Sequence, residues 1–97
     1  MTAVYSPEQH AFYRELGAFM RKSRKSRGMS AEDLAYETEV SRSTIMGVER
    51  GNYKISVYLL LRILQYLEIP VSILDDVMCI AKTKPVKPTR QEIYIGA

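Results

Sequence analysis

The chain has 97 residues and a hydrophobic fraction of 46%, enough for one domain with one modest core and not for two. Its single cysteine, Cys79, excludes an internal disulfide and fits a reducing cytoplasm. The longest apolar stretch, Val57 to Leu61, is far too short to span a bilayer, and Met1 to Ser6 lack the basic segment that opens a signal peptide.

The formal net charge of +3 points to an anionic partner, but its distribution matters more than its size. Residues 1–81 carry ten basic and ten acidic side chains, while Lys82, Lys84, Lys87 and Arg90 face only Glu92. Any nucleic-acid surface on the folded part must therefore come from local segregation of charge.

Ser6-Pro7-Glu8-Gln9 reads as a helix start, with Ser6 as N-cap, Pro7 at the first helical position and Gln9 completing a capping box. Phe12, Leu16, Phe19 and Met20 then recur at helical spacing, which predicts a first helix from Pro7 to Arg27, stopped by Gly28. Gly17 inside it costs about 1 kcal/mol against alanine. Ser30-Ala31-Glu32-Asp33 is a second start, and a short helix to about Thr38 follows, with Leu34 and Ala35 inward. Glu39-Val40-Ser41 is a tight turn whose Val40 plugs the angle between helices. Ser41 caps a third helix, Arg42 to Arg50, anchored by Ile45 and Val48 and stopped by Gly51-Asn52.

Ser56 caps a fourth helix, Val57 to Leu67, carrying Leu60, Leu61, Leu64 and Leu67, and Pro70 closes it. Ser72 to Cys79 gives a short fifth helix. After Ala81 the composition changes. Lys82 to Arg90, with Pro85 and Pro88, reads as an extended basic arm, and Gln91 to Ile95 alternates like a short strand, or stays disordered. The expected architecture is all-α: a compact five-helix bundle over residues 1–81 and a C-terminal arm over 82–97.

Two short helices joined by so short a turn meet at a steep angle, and the second can enter a DNA major groove. Arg42, Ser43, Met46 and Gly47 then point outward from the third helix, beginning at its N-terminus. Arg42 suits a bidentate contact to guanine, and equally a phosphate contact or a solvated charge. Ser43 reads as a base contact or a residue tuning the helix start. Met46 suits a thymine methyl or a protein contact. Arg21, Lys22, Lys25 and Arg27 line DNA or simply complement their helix dipole. Tyr36, Tyr58 and Tyr66 read as core or interface, and Glu32, Asp33, Glu37 and Glu39 as a solvated face. His10 stands alone, and no catalytic constellation, Gly-rich phosphate loop, metal set or cofactor motif is present, so neither enzyme chemistry nor a cofactor is expected.

The runs Ser30 to Ala35, Val40 to Ile45 and Glu49-Arg50-Gly51, with Arg21 to Arg24 before them and Leu60, Leu61, Leu64, Leu67 and Leu74 after, resemble the Cro/CI-type (phage-repressor, XRE-like) helix-turn-helix family over about residues 16–76. The resemblance implies a lambda-repressor-like fold and a bacterial or phage-encoded regulator of transcription, a repressor acting in the cytoplasm. It implies an internal salt bridge between Arg24 and Glu49. It also implies DNA contacts from Ser41, Arg42, Ser43, Thr44, Met46, Gly47 and Arg50, from Asn52 and Lys54 in the following loop, and from the backbone N–H groups of Ser30 and Ala31 at a phosphate.

The chain departs from the family where Ala31 stands for a common glutamine, Gly47 for a long polar residue, Ile55 for a proline, Leu64 for an alanine and Glu68 for a glycine. The expected partners are double-stranded DNA and a second copy, since one recognition helix reads too few base pairs for a genome. Ile69, Ile73, Leu74, Val77 and Met78, with the arm, are the expected dimer interface. The alternative is a protein-binding module (an antiactivator, antitoxin or adaptor for a toxin or another regulator) that keeps the fold without specific DNA binding.

Overall fold

Four serines set the frame of the chain. The hydroxyls of Ser6, Ser30, Ser41 and Ser56 each accept the backbone N–H three residues on, satisfying a donor that a helix start leaves orphaned. In the computed structural model of the protein, which describes residues 6–83, they open α1 (Pro7–Ser26), α2 (Ala31–Thr38), α3 (Arg42–Arg50) and α4 (Val57–Tyr66), and α5 (Ile73–Thr83) follows. No strand occurs among the described residues, and none of their helices is long and apolar enough to cross a membrane.

The apolar stripes converge on one core. Leu16 and Met20 of α1, Leu34 and Ala35 of α2, Ile45 and Val48 of α3, Leu59, Ile63 and Leu64 of α4 and Val77 of α5 are all buried. α1 packs against α3 and α5, and α2 against α3 and α4. Val40 packs against this core from the turn. Gly17 marks the tightest crossing: a Cβ there would run into the backbone carbonyl oxygens of Val48 and Glu49, the latter at 2.6 Å. A glycine that weakens its own helix is thus what lets α3 lie on α1.

Three expectations change. α5 continues past Cys79 to Thr83, because Ala81, one turn beyond Val77, is buried and extends the apolar stripe. Lys82 and Thr83 are consequently helical, and the rest of the expected arm, with the Gln91–Ile95 strand, lies outside the described residues. Tyr36, Tyr58 and Tyr66 are not core residues: they are 81%, 69% and 40% exposed. Ile69 and Val77, expected between subunits, are buried inside the chain, Ile73 and Leu74 are half-buried on the same core, and only Met78 of that set is well exposed. Ile69 is drawn in by the backbone, its N–H bonding to Leu64 O at 2.8 Å to close the end of α4.

That closure places Glu68 at φ 56°, a left-handed conformation that costs a residue with a Cβ about 1 kcal/mol or more. Glu68 recovers part of this by accepting a bond from Arg27 at 3.2 Å, but the pair is exposed. Glu68→Gly should therefore raise stability by about 0.5–1 kcal/mol, and by more in high salt, where the lost ion pair is screened anyway. Urea titrations at low and high salt measure both values, and a net loss in both would contradict the strain.

Candidate nucleic-acid interface

The angle between α2 and α3 is held from behind by one arginine. Arg24, near the end of α1, donates from Nε to Glu49 Oε2 at 2.7 Å, from Nη2 to Glu49 Oε1 at 3.0 Å and from Nη1 to Met29 O at 2.8 Å. All three guanidinium nitrogens are used, and the two side chains are only 7% and 5% exposed. The bond to Glu49 raises the Arg24 pKa above its ordinary value against the opposing effect of burial. This planar fork fixes α3 relative to α1 and to the loop entering α2, a task lysine geometry does not fit. Thr38 finishes α2 by donating to Leu34 O at 2.7 Å, and Arg62 of α4 ties the end of α2 down by donating to Glu37 O at 3.0 Å.

With its back fixed, α3 presents its other side. Arg42 and Ser43 are exposed at its N-terminus, Arg50 is exposed at its C-terminus, and Met46 is half-buried between them. Arg21 of α1 joins this surface, sharing a hollow of about 150 Å3 with Met46, Glu49 and Arg50. Asn52 and Lys54 are exposed in the loop that follows. Arg42, Arg21, Arg50 and Lys54 thus surround or flank one short helix, the local charge segregation that a neutral bundle requires. Two cations near the end of α1 go elsewhere. Lys22 lines the groove between α1 and α5, and Arg27 pairs with Glu68.

Several candidate residues serve the fold at close quarters. Ser41 caps α3 through Thr44 N at 3.1 Å, and its Oγ lies 3.0 Å from Thr44 Oγ1. Ala31 is buried, so its side chain presents nothing to a ligand. The Ser30 N–H donates to Asp33 Oδ2 at 3.1 Å in a reciprocal capping box, and the carboxylate already supplies the negative charge that this helix end attracts. A phosphate at the start of α2 would therefore meet a Ser30 N–H that Asp33 already engages. Gly47 carries no side chain, and the space where one would begin is bordered by Tyr53, whose Cβ would be 3.3 Å from a Cβ at position 47. Tyr53 lies between Asn52 and Lys54 and is not among the residues that the sequence alone singles out. The glycine on an outward helix position and a tyrosine shortly after it were the available signal.

Two short packed helices joined by a three-residue turn, the second open and flanked by cations, define a helix-turn-helix. The chain belongs to the helix-turn-helix domain family, whose model matches residues 15–75. Among solved structures, it is 32% identical to the restriction-modification controller protein C.AhdI from Aeromonas hydrophila, with 64% of this chain and 94% of that one covered and a TM-score of 0.60. It is 30% identical to the clp gene regulator ClgR from Corynebacterium glutamicum, over 73% of this chain and 87% of that one, with a TM-score of 0.62. The restriction-modification controller protein C.Esp1396I, seen as a tetramer in complex with its natural 35 base-pair operator, is 26% identical over 75% of this chain and 96% of that one, with a TM-score of 0.61. No curated protein matches.

Proposed function

We propose that this protein is a sequence-specific DNA-binding transcriptional regulator of the bacterial or phage-encoded kind, acting in the cytoplasm as a homodimer that represses by occupying a palindromic operator. The observation that carries this reading is the open N-terminal end of α3, where Arg42 and Ser43 are exposed while Arg24 and Glu49 hold the opposite side rigid. Side chains at that end of a recognition helix reach base edges, and Arg42 would bond guanine O6 and N7. Arg21, Arg50 and Lys54 would bond phosphates and set the register. The similarity to two controller proteins, one of them seen on its operator, and to a gene regulator supports the same reading.

Two copies would place their α3 helices about 34–36 Å apart on one face of the duplex. Pairing requires apolar surface that the monomer core has not consumed, and Val57 and Leu61, one turn apart on α4 and 70% and 40% exposed, offer it.

Titration against the protein's own upstream DNA and against random duplex, at several salt concentrations, tests the proposal. Specific binding should exceed random binding by at least about a thousandfold and weaken steeply with salt. Arg42→Ala should cost roughly 10–100-fold at the specific site and relax the preference at one base pair per half-site. A uniform loss on all sequences, with the salt slope reduced by about one, would make Arg42 a phosphate contact instead. A stable dimer by light scattering without specific binding at physiological salt would leave the chain as a protein-binding module.

A further inference from the structure

Ser43 and Gly47 lie one helical turn apart on α3, so they stack on the same outward side. The second leaves a gap in the reading face. The side chain of Tyr53 lies over that gap: its Cβ, Cγ and Cδ1 would sit 3.3, 3.9 and 3.9 Å from a Cβ at position 47. The loop carrying it is fixed close to α3 by Gly51, at φ 78°, and by the bond from Asn52 N to Gly47 O at 2.9 Å. Tyr53 is nevertheless 41% exposed, so its ring is both supported and presented.

We infer that Tyr53 is a specificity-determining residue whose ring stands in for the side chain that Gly47 lacks and meets the C5-methyl group of a thymine in the major groove. The inference rests on the DNA-binding reading above. An apolar ring edge offers no hydrogen bond to a base, and the thymine methyl is the one apolar feature by which it tells base pairs apart. The ring is large and has few torsions to freeze, which suits it to a contact held by packing alone.

The test uses the full chain and a pool of random-sequence duplexes. Once a site is selected, each thymine in it is replaced in turn by deoxyuridine, which removes only the methyl group. Wild type and Tyr53→Phe should both lose about fourfold in affinity at one thymine per half-site, the worth of one buried methyl. Tyr53→Ala should be indifferent to that replacement while keeping every other preference. 5-Bromouracil at the same position should photocrosslink the wild-type chain at Tyr53, a readout that does not depend on any variant folding. Methyl sensitivity retained by Tyr53→Ala, or crosslinking confined to other residues, would overturn the inference. A loss in Tyr53→Phe equal to that in Tyr53→Ala would overturn it too, since the hydroxyl and not the ring would then be the contact. Failure of the wild type to select any sequence would show before the variants are made, and would remove the DNA-binding reading along with this one.

Discussion

Glu49→Ala should cost about 3–5 kcal/mol, because it leaves the Arg24 guanidinium buried without its counter-ion. Against a total stability of about 5–15 kcal/mol for a domain of this kind, that loss is a large fraction of the whole, and the melting temperature should fall by roughly 15 °C or more. The loss is specific to breaking the pair. Replacing both members with apolar residues of similar size, Arg24→Met with Glu49→Leu, removes the desolvation cost of both charges and should restore most of the stability. It should not restore function as fully, because Arg24 also bonds Met29 O, and the fork that orients α3 against the start of α2 is gone. Urea denaturation of Arg24→Met, Glu49→Leu and the double variant gives the coupling energy directly. A Glu49→Ala cost below about 1 kcal/mol would contradict a buried pair and put it in the class of surface ion pairs.

Gly17→Ala should destabilise by about 3 kcal/mol, reversing the gain of about 1 kcal/mol that alanine normally brings to a helix interior. The atoms in the way are the backbone carbonyls of Val48 and Glu49, which cannot rotate aside as a side chain would. α1 and α3 must separate instead, loosening the packing of Leu16 and Met20 on Ile45 and Val48 and lengthening the Arg24–Glu49 bonds. Circular dichroism should show helix content preserved while the urea midpoint drops. Affinity for a specific DNA site should fall further than affinity for random duplex, since only the former needs α3 in register. A more stable Gly17→Ala variant would mean that the two helices do not cross at this point.

The contrast between these two sites shows what a reader of the sequence can and cannot see. Arg24 and Glu49 carry opposite charges, and the resemblance to a known family pairs them across the intervening helix. Gly17 carries no such label: its propensity argued only against the helix it sits in, and its use appears once α3 is laid across it. Ile69, Val77 and Ile73 look alike in sequence, an apolar surplus free for a dimer, yet the first two are buried by the chain's own packing and the third is half covered. The acidic start of α2 points to favourable helix-end electrostatics, and the structure adds that Asp33 and Ser30 cap one another's N–H groups there.

The sequence by itself determined where the helices begin and which faces they bury. A serine hydroxyl capping an N–H three residues away and an apolar stripe repeating every three or four residues are short-range events, complete within a turn or two. Those rules place the starts of α1 to α4, the turn between α2 and α3, and the outward positions of Arg42 and Ser43. Only the tertiary structure decided which exposed residues share a surface and which apolar ones remain for a partner. Arg21 stands beside Arg50, Tyr53 lies over Gly47, and Val57 and Leu61 stay uncovered because of how the helices cross. Crossings are set by steric contact between segments distant in the chain, and no local pattern encodes them.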